Sequence, residues 1–110
     1  MTETVIFEII LHAGNARAEA YDALAAAKTG DFAKAAAHMA RAEEEVGVAH
    51  RAQADVIQRE AAGEKQEISL LFVHAQDHLM TAVAEKSLIG QMIETEKTIR
   101  ELAARLEASK

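Results

Sequence analysis

The chain has no cysteine, no proline and no tryptophan, and its only aromatic residues are Phe7, Tyr21, Phe32 and Phe72. Without cysteine there is no disulfide, no thiol nucleophile and no cysteine-based zinc site. Without proline, no position loses its N–H or forces a break in a helix. Positive charge is scarce as well: 12 Lys and Arg stand against 18 Asp and Glu, a formal net charge of −6. No basic cluster interrupts that balance, which argues against a nucleic-acid backbone as partner. No run approaches the roughly 20 apolar residues that span a bilayer. The N-terminus also lacks a basic segment followed by an uninterrupted apolar one. The expected location is the cytoplasm.

What is present in abundance is alanine. Half of the 110 residues are hydrophobic, but 25 of these are alanine, so the core available to one copy is thin. Alanine loses no side-chain entropy in a helix, and its small size lets helix axes approach closely. The length suits one domain, taken as residues 1–110, and the expected fold class is all-α.

Three segments carry helical periodicity, expected at about 4–28, 32–61 and 69–107. Thr29-Gly30-Asp31 separates the first two: Gly30 suits the left-handed residue after a helix, and Asp31 suits the cap of the next. A polar break at Ala62-Gly63-Glu64-Lys65 separates the second from the third, with Ser69 as the next cap. Gly47 within the second helix costs about 1 kcal/mol relative to alanine, which suggests close packing there. Short connections make neighbours antiparallel, so the expected architecture is an up-down-up three-helix bundle. The third helix exceeds what one small subunit can cover, and it calls for partners along its length.

Chemistry concentrates in Val73-His74-Ala75-Gln76-Asp77-His78-Leu79-Met80. His74 and His78 lie about 40° apart on one helical face, with Asp77 about 100° from His78 on the other side. Leu70, Val73, Asp77, Met80, Ala84 and Leu88 form one stripe, so a carboxylate interrupts an apolar seam. If identical helices meet along that seam, several Asp77 carboxylates converge and require a hard cation such as Mg²⁺ or shared protons. A solvent gap facing Asp77 is the plainer alternative. For the histidines a zinc pair is disfavoured because Ala75 stands where metalloproteases carry glutamate. Ordinary polar histidines are one remaining reading. Nucleophilic transfer is the other, in which a neutral ring nitrogen accepts a phosphoryl group and later releases it. That chemistry needs a fixed tautomer and donors for the dianion, for which His78, Gln76 and the early N–H groups of the third helix are candidates. Leu71, Phe72 and Leu79 are candidates for shielding the site from water.

The block His74-Ala75-Gln76-Asp77-His78-Leu79-Met80, followed by Thr81, resembles the signature of the lactose/cellobiose/chitobiose IIA components of the phosphoenolpyruvate-dependent sugar phosphotransferase system. Further matches run in order: Ala13-Gly14-Asn15-Ala16-Arg17, Gly30-Asp31-Phe32, Ala49-His50 with Gln53, and Ser69-Leu70. Ala18 departs from the serine common among relatives. The resemblance implies a homotrimer of three-helix subunits forming a nine-helix bundle. It also implies that His74 takes a phosphoryl group from the histidine-containing phosphocarrier protein and gives it to a cysteine of the IIB component during disaccharide uptake. His78 and Gln76 would support His74, and the three Asp77 carboxylates of a trimer would share one Mg²⁺.

Two other classes compete. A non-catalytic helical oligomerisation module predicts no phosphorylation under any donor. A histidine phosphotransfer domain of two-component signalling usually places lysine and glycine shortly after the histidine, where this chain has Asp77 and His78. The transported disaccharide is not written in the chain, because a IIA component carries phosphate and does not touch the sugar.

Overall fold

The computed structural model describes residues 3–110. They form α1 (Glu3–Lys28), α2 (Phe32–Ala61) and α3 (Leu70–Ala108), with no strand among the described residues. The helices end where local chemistry ends them. After α1, Gly30 takes φ 85°; its N–H donates to the Ala27 carbonyl at 3.0 Å and that of Asp31 to Ala26 at 3.0 Å, which satisfies the last carbonyls. Asp31 then accepts from the Lys34 N–H at 3.1 Å and starts α2. Gly63, at φ 99°, repeats the stop after α2. Ser69 accepts from the Phe72 N–H at 3.1 Å and caps α3.

Side-chain pairs give the topology. Glu45 of α2 meets His12 of α1, and His38 of α2 meets Glu19 at 2.6 Å, so α1 and α2 are antiparallel. Arg17 pairs with Glu85 at 2.9 Å, and Arg100 donates to the Lys28 carbonyl at 2.7 Å, so α1 and α3 run the same way. The bundle is up-down-up, in an envelope of 68 × 20 × 19 Å. No helix among the described residues is long and apolar enough to cross a membrane.

Alanine fills the interior. Ala13, Ala16, Ala20, Ala23 and Ala27 of α1 and Ala42 and Ala49 of α2 are fully buried, and among the described residues the only larger side chains buried to the same degree are Ile9 and Leu79. Two clusters result. One surrounds Ile6, Ile9, Ala75 and Leu79 near the start of α3; the other surrounds Leu24, Ile89 and Ile93 towards the α1–α2 turn. Close packing at Gly47 is absent: a Cβ there would meet only the Arg51 guanidinium of its own helix. Beyond Arg100, α3 continues past the bundle with every residue exposed.

Candidate functional site

Ser69 sets where the site begins. Its side chain and carbonyl take the N–H groups of Phe72 and Val73, which starts α3 so that His74 stands in its second turn. Ala75, Leu79 and Ala82 face the core and fix the rotation of the helix. His74 is thereby exposed and His78 half-buried, both on the flank beside α1. Their Nε2 atoms are 3.1 Å apart, with ring centroids at 4.5 Å and planes at 89°. That geometry lets one ring donate its N–H to the lone pair of the other, which ties the tautomer of each to its neighbour.

Gln76 is not brought to this pair. It sits about 160° from His74 around the helix, and its Oε1 accepts from the Gln53 Nε2 at 3.0 Å. Gln53 is the one buried polar side chain among the described residues. This link was not legible in the sequence, since periodicity shows that Gln53 faces inward but not which residue it meets. The expected shielding needs correction too. Leu79 is wholly buried and belongs to the core, and Leu71 and Phe72 are half-buried against the same cluster. Two of the early N–H groups counted as donors are already taken by Ser69.

Asp77 faces away from its own bundle. Leu70 is 86% exposed, Val73 51%, Met80 49% and Leu88 64%, and Asp77 among them is exposed with no polar partner among the described residues. The apolar seam therefore exists, but one copy does not bury it. A different group, Glu19, Asp22 and His38, brings three metal-binding side chains together between α1 and α2. Arg41 donates to Glu19 at 3.3 Å there and supplies the positive charge.

Two turns along α3 from His78, Arg17 makes a bidentate pair with Glu85, its Nε and Nη2 each 2.9 Å from a carboxylate oxygen. The hydrogen bonds from Arg17 hold the Glu85 carboxyl below its usual range, and they raise Arg17 in turn. The sequence offered no sign of this pairing, which joins residues on different helices.

The family model described as "PTS system, Lactose/Cellobiose specific IIA subunit" matches residues 4–97. The lichenan-specific phosphotransferase enzyme IIA component of Bacillus subtilis is 50% identical over 99 residues, covering 90% of each chain. Among solved structures, the cellobiose-specific enzyme IIA from Bacillus anthracis superposes with TM-score 0.88 at 46% identity, over 92% of this chain and 94% of that one. The chitobiose IIA of Escherichia coli, solved in complex with HPr, superposes with TM-score 0.77 at 38% identity, over 89% and 95%.

Proposed function

The chain belongs to the lactose/cellobiose-specific IIA family of the sugar phosphotransferase system and is a phosphoryl carrier, and from that premise we propose that His74 is the residue that carries the phosphoryl group. The observation that carries this reading is the His74–His78 contact on an exposed helical flank. An exposed imidazole can meet the phosphohistidine of another protein, which an enclosed one cannot. The relative solved with HPr bound makes the histidine-containing phosphocarrier protein the natural donor.

The exchange balances without further reactants. The lone pair of a His74 ring nitrogen attacks phosphorus, the nitrogen–phosphorus bond of the donor breaks, and the departing imidazole keeps the electron pair. The dianion on His74 then lies beside His78, whose N–H, released from the imidazole pair, donates to a phosphoryl oxygen. A thiolate of the IIB component next attacks phosphorus, and His74 recovers its lone pair. The work takes place in the cytoplasm, where donor and acceptor meet.

The assembly we propose is a homotrimer, a nine-helix bundle built around the outward face of α3. Leu70, Val73, Asp77, Met80, Ala84, Leu88, Met92, Thr95, Ile99, Leu102 and Leu106 are all exposed at three- and four-residue spacing, the pattern by which identical parallel helices interlock. The three Asp77 carboxylates of such a trimer would hold one hard cation such as Mg²⁺ through their oxygens. Asp77 fits this role because no partner among the described residues uses the carboxylate. The ion would offset repulsion between copies, and no step of the transfer passes through it.

The test supplies phosphoenolpyruvate, enzyme I and the phosphocarrier protein, then adds the IIB component. Wild type should gain one acid-labile phosphoryl group and lose it to the IIB cysteine. His78→Ala should still be phosphorylated, about ten- to a hundredfold more slowly, for loss of one hydrogen bond to a charged group. Failure to discharge to IIB, with transfer to a response-regulator aspartate instead, would favour the two-component reading.

A further inference from the structure

Side-chain contacts join one stripe of α2 to α3. The Lys97 ammonium lies 5.8 Å from the centroid of the Phe32 ring, Met39 packs beside Gly90, Glu43 pairs with Lys86, and Gln53 bonds to Gln76. His50 belongs to the same stripe, seven residues after Glu43 and three before Gln53, spacings that return to one face. The antiparallel register of these contacts sets His50 level with Leu79, within a turn of His78. Yet His50 is exposed and has no polar partner among the described residues.

At this height α3 therefore has two polar flanks. His74 and His78 lie beside α1; Gln76 lies beside α2, with His50 above it. The exposed seam through Val73, Asp77 and Met80 separates them. A ring of copies about an axis along that seam keeps every residue at its height, and rotation sets the α1 flank of each copy against the α2 flank of the next. His74 in one copy then faces the side of its neighbour that carries His50.

We infer that His50 of the partner subunit completes the phosphoryl site, donating an imidazole N–H to an oxygen of the group on His74. This rests on the homotrimer reading above. The need for it is visible in one copy. Among the described residues His74 has no polar side-chain partner but His78, Arg17 is held by Glu85 two turns away, and Ser69 occupies the Phe72 and Val73 N–H groups. His50 touches the phosphoryl oxygen only through its N–H: it forms no bond to phosphorus, and leaves the exchange of nitrogen–phosphorus bonds unchanged.

Subunit mixing tests this. His50→Ala homotrimers should take phosphate from the phosphorylated phosphocarrier protein about tenfold more slowly than wild type, and His50→Gln, which retains a donor, should keep most of the rate. The decisive sample mixes His50→Ala subunits with an equal amount of His74→Ala subunits, exchanged to equilibrium. The latter have no acceptor but carry an intact His50, so about half of the His74 sites should regain the wild-type rate in a biphasic time course. Full rate in His50→Ala homotrimers, or no rescue in mixed trimers, overturns the inference and leaves the trimer standing. Sedimentation of the same samples reads the assembly directly, and monomers there would overturn both.

Discussion

Glu85 and Glu19 are both held below the ordinary carboxyl value of 4.5, Glu85 chiefly by hydrogen bonds from Arg17 and Glu19 chiefly by the one from His38. A depressed carboxyl stabilises the fold fully above its unfolded pKa, and that contribution disappears as pH falls through the lower folded value. Thermal stability should therefore decline below about pH 4.5. Glu85→Gln should flatten part of that decline, because the amide has no charge to lose; an unchanged acid slope in Glu85→Gln would show that the Arg17 pair adds nothing in solution. At this scale the sequence was legible for His74, His78 and Asp77, whose relative directions follow from helix geometry alone. It was not legible for Gln76 and Gln53 or for Arg17 and Glu85, since each pair depends on how two helices are rotated against one another.

The helix ends were legible because their chemistry is local. Gly30 with Asp31, and Ser69 three residues before the N–H it caps, need no knowledge of the rest of the fold. Gly47 was misleading for the opposite reason: a glycine inside a helix marks close approach only if another element is there, and here none is. Two substitutions separate these cases. Gly47→Ala should stabilise the protein by about 0.5–1 kcal/mol, since alanine restores helix propensity and displaces only a flexible guanidinium. Gly30→Ala should destabilise by about 1–2 kcal/mol. Its backbone holds φ at 85°, and the new Cβ would come within 2.8 Å of Arg100 Nη1, on the guanidinium whose Nη2 helps cap α1. Chemical denaturation of both variants checks the pair; a stabilised Gly30→Ala would contradict the assigned turn.

For the whole molecule, the alanine-rich composition announced a thin core, and the fold has that character: close helices, two large side chains fully buried among the described residues, and a third helix whose apolar face looks outward. What lies against that face could not be read from the spacing of the residues, because an apolar stripe with a carboxylate in it looks the same whether it faces its own bundle or another copy. The trimer reading makes Asp77→Leu a stabilising change, raising Tm by about 5 °C or more as mutual repulsion gives way to apolar contact. A lowered Tm would count against placing Asp77 at the axis. The account as a whole turns on His74, and intact mass after exposure to phosphoenolpyruvate, enzyme I and the phosphocarrier protein reads it most directly. Wild type should gain one phosphoryl mass per chain and His74→Ala none; equal phosphorylation of His74→Ala, or none in wild type where a related IIA component is modified, would contradict it.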